Sequence, residues 1–93
     1  MGAKKNQDHV FYRNPNKYYP TAQRGEGIYI YDVDGKEYID GSGGAAVVNI
    51  GHGVKEIQEA MLKQASFISF THGTQFTTEA AIELAEKITR IAP

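Results

Sequence analysis

Five of the thirteen residues from position 41 to 53 are glycine, and this cluster limits most what the chain can build. Glycine loses more backbone freedom on ordering than any other residue, so no long regular element runs through the segment. Ser42, Ala45, Ala46 and Asn49 between the glycines are small, as suits backbone that must approach something closely. Regular structure therefore lies on either side.

On the N-terminal side, residues 28–32 (Ile-Tyr-Ile-Tyr-Asp) and 37–39 (Glu-Tyr-Ile) are rich in strand formers. Asp34-Gly35 between them fits a two-residue type I′ turn, so the pair reads as a β-hairpin. Ile28 and Ile30 fall on one face, Tyr29 and Tyr31 on the other. A lone hairpin is marginal in water and needs another layer. Residues 1–26 show no sustained period, and Asn14-Pro15-Asn16 and Tyr19-Pro20 force extended or turn geometry. They read as an extended arm whose aromatics (Phe11, Tyr12, Tyr18, Tyr19) want a surface to cover.

Two helices are expected on the C-terminal side. Over 54–66, Ile57, Met61 and Ala65 recur every fourth residue, with Glu59 and Lys63 as an i,i+4 pair elsewhere. Over 78–91 the stripe is Ala81, Leu84, Ala85, Ile88 and Ile91, with Ile82 off it. Thr77 is placed to cap this helix, Glu79 and Arg90 suit its two poles, and Pro93 ends it. The linker 67–76 is apolar yet carries Thr71, His72, Thr74 and Gln75. Its composition fits a pocket lining as well as a half-buried connection. The fold expected is α+β: an arm (1–26), an antiparallel hairpin and two amphipathic helices (within 27–93).

Ninety-three residues make at most one domain, and its core is thin. No cysteine is present to brace it, which suits a reducing cytoplasm. Ten basic and eleven acidic residues leave a net charge of −1, no footprint for nucleic acid or a membrane surface. Lys4, Lys5, Arg13, Lys17 and Arg24 make the arm locally basic, which reads as solvation. No apolar run is long enough to cross a bilayer, and no signal peptide or myristoylation pattern follows Gly2. A cytoplasmic, soluble protein is the expectation.

Chemistry-bearing motifs are few. Gly41-x-Gly43-x-x-Ala46 follows a strand, as a dinucleotide fingerprint does, but that strand belongs to a hairpin and glycines interrupt any helix after it. Ser42 lacks the glycine at position 40 that a nucleophile elbow requires. His9, His52 and His72 have no metal-ligand spacing, so no metal site is expected. His52, between two glycines, reads as ordering the turn before the first helix. Asp32, Asp34 and Asp40 surround the hairpin, where turn capping is their ordinary role.

The order of these pieces carries more than any one of them. Gly25-Glu26-Gly27, Tyr29-Ile30, Asp32, Asp34-Gly35-Lys36, Tyr38-Ile39-Asp40, Ser42-Gly43-Gly44 and Asn49-Ile50-Gly51-His52 together resemble the N-terminal segment of class III aminotransferases, nearest the ω-amino acid:pyruvate branch. The resemblance runs over about residues 18–93. It departs at Gly53-Val54-Lys55, where many members carry His-Pro, and at Ala46, where ω-transaminases often place a bulky aromatic.

The resemblance implies part of the small domain of a fold-type I enzyme that uses pyridoxal 5′-phosphate. Such an enzyme moves an amino group between an amino acid or amine and a 2-oxo acid. It implies a homodimer to which this segment contributes contacts. Ser42, Gly43, Gly44, Ala45 and Ala46 would line the substrate pocket, with a roomier wall at Ala46. Tyr19 would help cap the pocket, and Thr74 would reach toward it from the 70–76 loop. The lysine that carries the cofactor belongs to a large domain, and none of Lys4, Lys5, Lys17, Lys36, Lys55, Lys63 or Lys87 sits in a matching motif. The chain is thus expected to be a fragment without catalytic residues, inactive alone. The competing expectations are a stand-alone ligand-binding or interaction module built on the glycine-rich loop, and a small nucleotide-binding domain.

Overall fold

A computed structural model describes residues 5–93; Gly2 and Lys4 lie outside the described residues. Strands β1 (Ala22–Glu26), β2 (Tyr29–Asp32) and β3 (Glu37–Ile39) form an antiparallel sheet in the order β1-β2-β3. Then come a four-residue helical turn, α1 (Gly43–Ala46), and two helices, α2 (Lys55–Phe67) and α3 (Glu79–Ile91). The architecture is α+β. Residues 1–54 and 55–93 make two separate units.

The hairpin of β2 and β3 has the expected strands but a longer turn. The Asp32 amide donates to the Lys36 carbonyl (3.0 Å), so three residues, 33–35, make the loop. Only Gly35 there has positive φ (82°), whereas type I′ needs two such residues. The Asp32 side chain is the reason. One of its oxygens accepts from the Asp34 and Lys36 amides (2.9 and 3.0 Å), and the other accepts from the Tyr38 hydroxyl (2.8 Å). Asp32 is 6% exposed, the only buried residue among those described.

Residues 22–26, expected to end an extended arm, add a third strand instead. Glu26 pairs with Tyr29 across a two-residue connection, and a bulge between Ala22 and Arg24 shifts the register. Alternation is hard to see in Ala-Gln-Arg-Gly-Glu, whose side chains are nearly all exposed. The Arg24 guanidinium lies over the Tyr31 ring (3.9 Å to its centroid) and 3.3 Å from Glu26. Upstream, the Asn6 amide both donates to and accepts from the Tyr19 backbone (2.8 and 2.7 Å), closing a loop. Tyr12 stacks on Tyr19 within it, ring centroids 4.9 Å apart. The arm's aromatics therefore find some of their surface in each other.

In the second unit Thr78, not Thr77, caps α3: its hydroxyl accepts from the Ala81 amide at 3.2 Å. The cap is the residue just before the first helical one, and α3 begins at Glu79, which leaves Thr77 one position too early. Arg90 occupies the last turn, and Ala92 turns extended ahead of Pro93. Glu59 and Lys63 do not pair on α2; the i,i+4 pair that forms is Glu83–Lys87 on α3 (3.6 Å). Neither helix buries a residue. Ile57, Met61 and Leu62 on α2 and Leu84, Ile88 and Ile91 on α3 are all exposed.

The Tyr38 hydroxyl bond holds the Asp32 carboxyl below its ordinary value of 3.8, and the same bond pushes Tyr38 above 10.0. A lowered acid stabilises the fold above its unfolded pKa and loses that contribution as pH falls through the lowered one. A raised tyrosine stabilises it below its unfolded pKa and loses that as pH rises through the raised one. Exchange protection of the Lys36 amide should therefore be flat from about pH 5 to 9 and fall on both sides. Asp32→Ala should lower the protection and remove both falls, and a variant profile that keeps the height and both falls would refute the assignment.

Candidate functional site

The glycine-rich segment is fastened to the sheet at one place. Gly27 and His52 exchange backbone hydrogen bonds (3.0 and 2.8 Å) as an isolated antiparallel bridge. The His52 ring then lies against Gly25, where a Cβ would stand 2.6 Å from the ring's Cγ. Its Nε2 meets Asp40 Oδ2 at 2.7 Å, while Asp40 Oδ1 accepts from the Gly43 amide at 3.1 Å. The two side chains are 22% and 12% exposed, so solvent competes little for this pair. Asp40 is itself fixed to the sheet by its amide, which donates to the Ile28 carbonyl (2.7 Å).

Between Asp40 and His52 the backbone makes one turn of left-handed helix. Gly43, Gly44, Ala45 and Ala46 have φ of 59°, 64°, 62° and 64°. The turn is closed by the Ala46 amide to Ser42 (2.9 Å) and the Val47 amide to Gly43 (2.8 Å). Glycine accepts this conformation freely. For each alanine it costs roughly 1–2 kcal/mol, because Cβ crowds the following carbonyl oxygen. Strain of this kind persists only where the surroundings hold it.

Ser42, Gly43 and Ala46 face a cleft of about 280 Å³ that Ile28, Asp40 and His52 also line; Gly44 and Ala45 do not line it. Tyr19 does not line it either. It is half-buried in the arm, stacked on Tyr12, its hydroxyl accepting from the Asn14 amide (3.1 Å). Thr74 belongs to the second unit, where its hydroxyl and amide meet His72 Nδ1 (2.7 and 3.3 Å). There it orders a turn beside a larger cleft of about 630 Å³, walled by Phe67, Phe70 and Phe76 with His72, Gln75 and Glu79 as polar points. The linker is thus pocket-lining in composition and in geometry.

Among the described residues no three His, Asp or Glu side chains gather as a metal site would need. No helix of those residues is long and apolar enough to cross a membrane. Sequence reasoning overlooked the meeting of Gly25, Asp40 and His52. The signal for it is two glycines spaced by one residue, an aspartate ending the hairpin, and a histidine between glycines, three marks that look unrelated in the linear chain.

A family model described as Aminotransferase class-III matches residues 11–93. The uncharacterized aminotransferase YodT of Bacillus subtilis (strain 168) is 43% identical over 75 residues, covering 81% of this chain and 17% of that protein. The crystal structure of a transaminase from the marine bacterium Virgibacillus superposes with a TM-score of 0.74 at 44% identity, covering 80% of this chain and 17% of the other. A taurine:2-oxoglutarate aminotransferase from Bifidobacterium kashiwanohense, in complex with PLP and glutamate, superposes with a TM-score of 0.77 at 28% identity over 87% of this chain and 18% of the other. The chain thus spans about one sixth of the length of the proteins it matches.

Gly25→Ala should break the clasp. The methyl group meets the near end of the His52 side chain, whose Cβ and Cγ cannot swing aside without the backbone, and overpacking of this kind costs about 1–3 kcal/mol. Amide exchange at Gly27 and His52 should accelerate about tenfold or more. Unchanged rates would mean that the ring does not rest on Gly25.

Proposed function

The chain belongs to the class III aminotransferases, and on that premise we propose that it supplies one wall of the substrate pocket in a pyridoxal phosphate-dependent transaminase. The whole protein would move an amino group between an amino acid or amine and a 2-oxo acid. One observation carries this reading: the match spans the sheet, the clasp, the left-handed turn and both helices in a single run.

A pyridoxal phosphate site needs an amine for the cofactor's aldehyde and donors for its phosphate. Neither the cleft at Ser42 nor the one walled by phenylalanines is lined by a lysine or an arginine. These walls therefore do not fit the cofactor as its anchor, and no step is routed through it. Holding the cofactor falls to residues outside this chain.

What the chain's own residues do is position and exclude. Ala46 and the glycines admit the body of a substrate close to the backbone. Ser42 offers a hydroxyl at the same rim. The phenylalanines of the second cleft keep water from whatever they cover. The exposed stripes of α2 and α3 suit burial against the rest of the enzyme or a second subunit, and we assign the dimer contacts of this segment to them.

The test compares this chain with a protein extended to the length of its relatives. Each is incubated with pyridoxal phosphate, reduced with borohydride and mapped by mass spectrometry, then assayed for amino transfer from an amine to a 2-oxo acid. The expected result is a single pyridoxylated lysine and turnover in the extended protein, and neither with this chain alone. Turnover by the isolated chain, or no cofactor adduct in the extended protein, would overturn the proposal.

A further inference from the structure

Four consecutive left-handed residues, two of them alanines, need something to hold them, and one carboxylate and one imidazole are placed to do so. Asp40 reaches the turn through the Gly43 amide and reaches His52 through its second oxygen. His52 is itself pinned by the Gly27 bridge and by its ring against Gly25. We propose that Asp40 and His52 are positioning residues that hold the strained turn Gly43–Ala46 as a fixed wall, so that discrimination between large and small substrates depends on the hold this pair has on the turn, beyond the surface its own side chains give the cleft. This inference rests on the substrate-wall reading above.

Strain is what links the pair to selectivity. A chain freed from the Asp40 carboxylate relaxes its alanines toward negative φ, where their Cβ atoms no longer crowd the backbone. That relaxation moves the Ala46 methyl, which lines the cleft, and Ser42 with it. A wall that has moved or become mobile measures substrate size poorly. Ala45 offers a clean handle on the same strain. It is left-handed and exposed, and it does not line the cleft, so replacing it changes the strain without touching the cleft's surface.

The test uses the extended, cofactor-loaded enzyme and reads the ratio of kcat/KM for a bulky and a small primary amine. His52→Ala should change that ratio by roughly tenfold, the scale of a misfitted methylene in a pocket. The change should fall mainly on KM for the amine that the displaced wall obstructs or no longer contacts. His52→Gln should restore most of the ratio, since its amide nitrogen replaces Nε2 as a donor to Asp40. Asp40→Asn, isosteric and spared any gross packing defect, should shift the ratio in the same direction as His52→Ala. Adding Ala45→Gly to His52→Ala should bring the ratio back toward its starting value, because a turn without strain needs less holding. Asp32→Ala, which loosens the hairpin elsewhere, should lower the Tm and leave the ratio alone.

An unchanged ratio in both His52→Ala and Asp40→Asn, with turnover intact, would overturn the positioning role and leave the transaminase reading standing. A ratio moved as far by Asp32→Ala as by His52→Ala would also overturn it, by showing general loosening. Failure of the transaminase reading has a different signature: no turnover of any amine by the unsubstituted enzyme.

Discussion

The backbone bridge between Gly27 and His52 joins parts of the first unit that are 25 residues apart in sequence. A sheet is ordinarily joined to the next segment of chain by packing an apolar face against it. That route is weak here, since no apolar residue among those described is buried. Two backbone hydrogen bonds, one side-chain pair and one steric contact take its place. Each needs a particular residue: a glycine where the ring lies, an acceptor at position 40 with two usable oxygens, a donor ring at 52. Because each group serves two partners, removing one disturbs the others, and the clasp behaves as a unit.

That dependence explains what the linear chain discloses and what it hides. The strands at 29–32 and 37–39 and the helices near 55–67 and 79–91 are visible from local composition and period, because their signals are local. The hairpin turn is misjudged by one residue, because Asp32 recruits the Lys36 amide and no propensity for Asp34-Gly35 foretells that. The strand at 22–26 is missed because an edge strand with exposed side chains has no reason to alternate. The capping threonine slips from 77 to 78 for the ordinary reason that adjacent hydroxyls look alike until the backbone is placed. Among the site residues, Ser42, Gly43 and Ala46 do meet at one cleft, while Tyr19 and Thr74 each order a loop of their own. The left-handed turn is not legible at all, since Ala45 and Ala46 are poor candidates for positive φ by any local rule.

A feature that breaks a local rule is where a fold most often serves something besides its own stability. Here the broken rule and the family resemblance fall on the same four residues. On the resemblance 42–46 would be the substrate side, and the backbone independently marks 43–46 as strained. The first mark comes from residue identities and the second from dihedral angles. Their coincidence is a stronger argument than either, because strain without a role would be relieved by one substitution to glycine at little cost.

The exposed faces of α2 and α3 bear on the same question from the opposite direction. Helices of thirteen residues draw most of their stability from packing one face rather than from propensity, and these two bury nothing within the chain. The first unit is held by specific polar contacts, whereas the second leaves its apolar stripes exposed. The turn at 43–46 is fixed internally by hydrogen bonds, so its geometry is set within its own unit. The stripes of α2 and α3 have no such internal fixing, so their stability depends on a surface to pack against.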